Sequence, residues 1–469
     1  MIFEKHIQKL TKPSILLIIA ITSFAIITMD GWRSWNKGDG NFSWDVANYY
    51  SYLPAFFTNS GSFELKTECP SFKVDYMPIL PRDSLHIPKT TYGMALFYSP
   101  FFALGYKIAY NQQDPLDGFS EAFATTLHWG MIFYSILGLL LLRNFLIKFF
   151  TEKVITITLI ILFFGTALFY YSLSQPEMPH SSLFFLFSAF LLSTYHWYLN
   201  QTIGRSLLIG FLIGLIALIR PTDLMIGLVF LFWPTEGCLS FKDKMMFLLK
   251  RYKLILVMAS SALLMWVPQM LFWKARTGHL LYFSYQGEQF FWNDPQLINV
   301  LFSYRKGLFL YTPLIALSII GFCFMPKSMK QIRNGLILLF VLNLYLVSCW
   351  WDWFFGGCFA ARSFVQHFSY LSIPLASLIA FMFELPSKTW IKPIIQFVLV
   401  VCILLGISLN LFQTYQYNAN LIHPFAMSKK TYWFVFGRYN LKGNEQYEFW
   451  GGLKEPNYEK LRSGEDRDQ

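Results

Sequence analysis

The sequence predicts an all-α polytopic membrane protein with about eleven transmembrane helices, on three observations. Of 469 residues, 55% are hydrophobic and only 14% charged, and the mean hydropathy is +0.41, far from the balance of a soluble globular chain. Apolar windows approaching the roughly 20 residues needed to cross hydrocarbon recur along the chain, and helices are the form that satisfies its own backbone there. Aromatic residues reach 19%, which suits lipid-facing surfaces and interfacial belts.

The elements follow in order. Window 14–30 lies behind Lys5, Lys9 and Lys12 and shows no small-residue cleavage site, so it reads as an uncleaved first span. The others are 124–142, 154–174, 181–199, 205–219, 222–236, 253–273, 308–325, 334–350, 366–383 and 393–412. The pair 205–219 and 222–236 is short and broken by Arg220-Pro221-Thr222-Asp223; it reads as two spans or as one re-entrant hairpin. Lys and Arg gather in alternate connections, around Arg143 to Lys153, Arg205, Lys242 to Lys253, Lys327 to Arg333 and Lys388 to Lys392. That pattern places the N-terminus in the cytoplasm.

Residues 1–412 then form one transmembrane module, with long outer connections at 31–123 and 274–307, and residues 413–469 form a short outer tail. Loops of such length are usually functional. In the first loop, Asp45 to Phe57 predicts an amphipathic interfacial helix and Tyr92 to Tyr110 a second helix lying on the membrane. The tail, with balanced charge and several aromatics, reads as a small ordered cap.

The net charge of +11 does not indicate nucleic acid, because the basic residues sit in topology-setting connections rather than along a groove-binding motif. Six cysteines show neither CxxC pairing nor metal-ligand spacing. Cys69 and Cys358 both fall on the outer side, which leaves a disulfide between them open.

A carboxylate near hydrocarbon costs roughly 3 kcal/mol unless compensated, so polar residues at the outer ends of spans are the candidates for chemistry. After the first span come Asp39 and Asp45, the latter within Trp44-Asp45-Val46-Ala47-Asn48-Tyr49-Tyr50-Ser51-Tyr52-Leu53-Pro54. On a helix, Asp45, Tyr49 and Tyr52 share a face; the rings can stack on a sugar while the carboxylate takes a hydroxyl proton. The structural alternative is a helix cap with an aromatic belt.

In the turn Ser174–His180, Glu177 and His180 could assist a base, bind a metal or orient a phosphate; equally, His180 caps the next helix and Glu177 is solvated. Lys89, Arg220, Arg305, Lys306 and Arg362 are outer-side cations suited to a departing phosphate. Arg220 and Arg362 favour that function, whereas Lys306 reads at least as well as a residue snorkelling to headgroups. Trp351 lies in Trp350–Ser363, where three Trp beside Asp352 offer a sugar or lipid platform and Gly356-Gly357 permits close backbone approach.

With these pieces in this order, the chain resembles the GT-C superfamily of membrane glycosyltransferases, in the bacterial branch related to protein O-mannosyltransferases and aminoarabinose transferases. The matching pieces are Trp44-Asp45 through Pro54, Tyr92-Gly93 with Pro100, and Pro179-His180. They continue with Leu218 to Thr222, Lys306-Gly307-Leu308 with Tyr311-Thr312-Pro313, and Gly356-Gly357 with Arg362, covering most of 14–385. The resemblance implies inverting transfer of a sugar from a polyprenyl-phosphate-linked donor to a lipid, glycan or protein acceptor on the periplasmic face of a bacterial inner membrane, without nucleic acid.

By the resemblance, Asp45 matches the first-loop catalytic Asp, with Asp39 its rival, and Glu177 stands for a second acid. Arg220 and Arg362, with Lys89 or Arg305, hold the donor phosphate; Tyr49, Tyr52 and Trp351 shape the sugar pocket. A DxD-like pair is missing, which leaves a divalent cation cofactor open. The competing readings are a transporter or flippase of lipid-linked sugars and a non-catalytic membrane scaffold. One Arg-Pro break without a matching partner speaks against the first, and intolerance of Asp45 or Arg220 to substitution would speak against the second.

Overall fold

The computed structural model describes residues 11–32, 42–58, 60–61, 63, 87–237, 240–384, 391–465 and 467. Asp39, Cys69 and Cys238 lie outside them, and with them the rival acid and one half of the disulfide that the sequence leaves open. Among the described residues regular structure is helical, and β pairing is one isolated bridge between Phe290 and Trp350.

Six described helices are long and apolar enough to cross a membrane: Glu121–Leu146, Pro179–Leu199, Tyr252–Thr277, Lys327–Cys349, Arg362–Glu384 and Lys392–Asn418. Pro13–Thr28, Ile203–Ile219, Pro221–Leu231 and Ile315–Phe324 are shorter apolar helices. Two sequence windows, 154–174 and 308–325, are interrupted, and the break expected at Arg220 is present, each for a local reason. Window 154–174 divides into Glu152–Phe164 and Leu168–Leu173, with Gly165 as the cap between. Arg220 and Thr312 each precede a proline, which disfavours helical backbone, and both are extended in φ, at −141° and −140°.

The chain divides into two compact units. A loop unit comprises Ile18–Phe145 and Tyr171–Gln286; a tail unit comprises Met1–Leu17, Leu146–Tyr170 and Gly287–Gln469.

In the loop unit, Ile203–Ile219 and Tyr252–Thr277 meet backbone to backbone at two glycines one turn apart. A Cβ added at Gly210 would stand 2.2 Å from the Met258 carbonyl oxygen, and one at Gly214 would stand 2.7 Å from Ala262. Small residues permit that approach, and van der Waals contact then holds the helices where lipid supplies no hydrophobic drive. The first loop departs from an amphipathic surface helix. It forms Trp44–Tyr50 and Tyr52–Phe57, in which Val46 to Tyr50 and Tyr52 to Ala55 are all buried. Tyr50 packs against Tyr98, Phe102 and Phe119, so the loop is a packed layer rather than a film on a membrane.

In the tail unit, the residues after the Lys392–Asn418 helix continue as Lys429–Val435, Asn444–Gly451 and Tyr458–Ser463. They are bound to the rest of the unit by side chains that reach backbone. Arg467 donates to the carbonyls of Ser348 and Trp350, and Trp353 Nε1 donates to the Arg467 carbonyl at 3.0 Å. Gln413 donates to the Tyr432 hydroxyl at 2.8 Å.

Candidate functional site

The loop unit gathers the first-loop acid with several of its expected companions. Asp45 is half-buried in the first turn of Trp44–Tyr50, where the helix dipole favours a negative charge. Trp44 before it holds a φ of +49°, a left-handed conformation that is costly for a bulky residue. Asn48, one turn on, ties this helix to the next part of the site: its Oδ1 accepts from the Lys89 backbone N–H at 3.1 Å, and its Nδ2 donates to the Trp44 carbonyl. Lys89 lies with its ammonium over the Tyr285 ring.

The segment after Lys89 is clamped from several sides. Tyr52 donates its hydroxyl to the Thr90 carbonyl at 2.8 Å and receives a weak contact from Gln269, whose Oε1 accepts from the Tyr92 N–H. Burial raises the Tyr52 phenol well above its ordinary range. Its hydroxyl is therefore committed to shaping backbone. Thr91 donates to the Leu218 carbonyl, and Gly93 abuts Ile219 so closely that a Cβ would meet it at 2.7 Å. The helix end that carries Arg220 is thus seated on the Lys89–Gly93 segment.

Glu177 and His180 are both buried, at 2% and 3% exposure. Glu177 is not a solvated turn residue: its carboxylate lies 2.6 Å from Nδ1 of the fully buried His128. Tyr98 donates to the Glu177 carbonyl at 2.5 Å. Burial raises the Tyr98 phenol, and Tyr49, Glu177 and Asp45 add to the rise. His180 is not the cap of its helix; Met178 is, and the imidazole meets the Tyr171 ring edge-on.

The tail unit contains Arg305, Trp351 and Arg362, together with Lys306. Ser303–Gly307 is a tight turn: the Gly307 N–H reaches the Ser303 carbonyl at 2.7 Å, and a Cβ at Gly307 would crowd that oxygen at 2.6 Å. The turn directs Arg305 and Lys306 inward, and each is only 3% exposed. Lys306 therefore does not snorkel to a surface.

Among the described residues neither forms an ion pair. Arg305 donates one hydrogen bond, to the Lys454 carbonyl, and stacks on Phe354; its Nε and Nη1 have no partner. Burial pushes the Lys306 amine down to about 8, with Arg362 adding to the fall and Cys358 and Asp352 opposing it. Lys306, Arg362 and Ser363 face a small recess of about 10 Å³, partly open to solvent, walled by Val300, Val347, Trp353, Phe354, Phe355 and Ala361. The wall is irregular backbone, with Phe355, Gly356 and Ala360 all at positive φ. Trp351 is buried against Tyr458, with the Arg462 guanidinium over its ring.

Sequence reasoning passed over His128 and Tyr98, single polar residues in apolar helices with no motif around them. It undervalued Lys306. Among the described residues no three His, Cys, Asp or Glu are grouped as a metal-binding set. Neither protein-family models nor curated proteins give a match to this chain.

Proposed function

We infer that this protein is an inverting glycosyltransferase that moves a sugar from a polyprenyl-phosphate-linked donor to a lipid, glycan or protein acceptor. The observation that carries the reading is the pair of buried cations, Arg305 and Lys306, which form no ion pair among the described residues, with Lys306 and Arg362 both lining the recess. A buried charge without a counter-ion costs several kcal/mol, and a fold that keeps two of them suits an anion. Guanidinium and ammonium groups suit phosphate oxygens, and the aromatic wall of the recess suits an apolar carrier.

On this reading the acceptor hydroxyl oxygen attacks the anomeric carbon, and the bond from that carbon to the phosphate oxygen breaks. Its electron pair leaves on the phosphate, where Lys306, Arg362 and Arg305 stabilise the growing charge. The hydroxyl proton passes to a general base. The topology that goes with it is eleven spans in a bacterial inner membrane, with a cytoplasmic N-terminus and a periplasmic first loop and tail.

The test is transfer of radiolabelled sugar from a polyprenyl-phosphate donor in membranes containing wild type, Asp45→Asn or Lys306→Met at matched expression. A positioned base contributes roughly 10²–10⁴-fold, so Asp45→Asn should fall by that factor, and Lys306→Met should lose donor binding. Wild-type membranes that move the intact lipid-linked sugar across the bilayer without cleaving it would replace this reading by a flippase.

A further inference from the structure

The connection between Pro221–Leu231 and Tyr252–Thr277 carries a helix that is arranged inside out. Phe241–Leu249 starts from a capping box, in which Ser240 Oγ accepts from the Asp243 N–H and the Asp243 carboxylate accepts from the Ser240 N–H and hydroxyl. Lys244 is the buried residue of this helix, at 4% exposure, whereas Leu249 is 65% exposed and Phe241 and Met246 are exposed with it. A helix seated on a protein core in water shows the reverse pattern.

The roll of the helix is fixed by what Lys244 meets. Its ammonium donates to the Trp233 carbonyl at 2.7 Å and to the Thr235 hydroxyl, and it lies 4.0 Å from the centre of the Tyr198 ring. Tyr198 stacks on both Trp233 and Phe247. The Arg251 guanidinium stands 3.7 Å from the Phe247 ring centre and donates to Gln201 Oε1 and to the Phe247 carbonyl. Hydrogen bonds and cation–π contacts thus satisfy the lysine inside the protein. With that side of the helix held inward, Phe241, Met246 and Leu249 are left outward.

Positive charge surrounds the outward side. Between residues 242 and 253 stand five cations, Lys242, Lys244, Lys250, Arg251 and Lys253, against one acid, Asp243, and the acid is committed to the cap. Lys242, Lys250 and Lys253 are exposed and form no ion pair among the described residues. Arg251 leaves helical backbone, at φ −109° and ψ 24°, which separates this helix from the next. That next helix, Tyr252–Thr277, is long and apolar enough to cross a membrane, so its start marks a boundary of the hydrocarbon. A helix about 14 Å long that ends at that boundary is too short to cross and lies at the level of the headgroups.

We propose that Phe241–Lys253 is a binding site for anionic phospholipid at the membrane surface. Phe241, Met246 and Leu249 enter the acyl boundary, while Lys242, Lys250 and Lys253 take the headgroup phosphate oxygens. Lys244 is a positioning residue: its own charge is satisfied by protein groups, and its placement turns the apolar side to lipid. The site uses none of the residues of the donor-phosphate reading and stands independently of it.

Hydrogen exchange of segment 240–253 in the full-length protein, held in neutral detergent and titrated with phosphatidylglycerol, tests the site directly. Phosphatidylglycerol should slow exchange there, and phosphatidylcholine should slow it far less. A lysine near an anionic surface is worth about fivefold in affinity. Lys250→Gln should therefore raise the phosphatidylglycerol concentration needed about fivefold, and replacing Lys242, Lys250 and Lys253 together by Gln about a hundredfold. Lys250→Arg keeps the charge and should match wild type, as should Lys429→Gln, at an exposed lysine elsewhere. Lys244→Met should speed exchange in the segment with or without lipid.

Equal slowing by phosphatidylcholine overturns the requirement for an anionic headgroup. An undiminished response in the triple variant, or equal weakening in Lys250→Gln and Lys250→Arg, overturns the role of the lysines. Slowing by polyprenyl phosphate where phosphatidylglycerol has no effect overturns the assignment to bilayer phospholipid. Slowing that follows protein concentration instead of lipid overturns the lipid site and gives this face to a second copy of the chain.

Discussion

Replacing Lys306 by Met should make the ligand-free protein more stable while removing its affinity for phosphate. The cost of the lysine follows from its burial. Its amine titrates at about 8 in the fold against 10.5 in the open chain. At 1.36 kcal/mol per pKa unit, the difference of 10.5 − 8 amounts to about 3 kcal/mol. With only 3% of the residue exposed, solvent screening removes little of it.

Below about pH 8 the folded and unfolded chains both hold the proton, and the whole penalty is present. Between about 8 and 10.5 the unfolded chain holds it more tightly, so stability rises with pH; above that range the penalty is gone. Methionine fills the same space with an adaptable apolar chain. Lys306→Met should therefore gain up to about 3 kcal/mol near neutral pH, and the gain should shrink toward pH 10. Melting of purified protein by tryptophan fluorescence, wild type against variant across that range, reads both quantities. A variant less stable than wild type at neutral pH, or a gain that persists unchanged at alkaline pH, would refute the argument that Lys306 is a costly buried charge awaiting an anion.

Other perturbations probe the scaffold. Removing one partner of the buried His128–Glu177 pair strands the other, so Glu177→Gln and His128→Leu should each cost about 3 kcal/mol. The double variant should cost clearly less than their sum in a melting cycle, and strict additivity would mean the contact contributes nothing. Gly210→Leu should destabilise the loop unit by about 2 kcal/mol or more, since its Cβ would lie 2.2 Å from the Met258 carbonyl. Gly204→Ala on the same helix, where a Cβ meets nothing within 4 Å, is the matched control and should melt close to wild type. At Trp44, whose φ is +49°, Gly should fold at least as well as wild type, whereas Ile should lose about 1–3 kcal/mol. Equal melting of those two variants would show that the left-handed backbone is not strained.

The long spans were legible because each needs only a run of apolar residues, a property carried by neighbours in sequence. The breaks were not fully legible: Thr312-Pro313 announces itself, but Gly165 interrupts an apolar run without any polar signal. The first loop misled for a related reason. Its Tyr and Phe residues suit a membrane surface as well as a packed layer, and burial decides between them. That burial comes from Phe102 and Phe119, roughly fifty to seventy positions away.

The same distance rule governs the site. Asp45, Lys89 and Arg220 could be picked out as polar residues at boundaries. His128 could not, because its meaning lies in Glu177, 49 residues on. Lys306 looked like a headgroup anchor because a lysine beside a span usually is one. Its neighbour Arg305 bonds a tail carbonyl 149 residues downstream, and no local pattern encodes that closure.

A buried lysine and arginine persist only if the backbone that holds them cannot turn them outward. Both side chains are long, and a small rotation of the Ser303–Gly307 turn would return either to solvent. The tail unit opposes that rotation with glycine contacts at the next bend. Leu314, immediately after Thr312-Pro313, is wedged between Gly165 and Gly406, where an added Cβ would stand 2.5 Å from its side chain on either side. Gly321 sits under the Pro374 carbonyl at 2.1 Å for its absent Cβ. These contacts leave no room for the Leu308–Tyr311 helix to slide, and Tyr311 holds the turn itself through its hydroxyl on the Tyr304 carbonyl. Close packing of small residues fixes one end of the turn and the Lys454 carbonyl takes up the other through Arg305. The cations are held in an unfavourable place by the rest of the unit, which is what the proposed phosphate site requires of its scaffold.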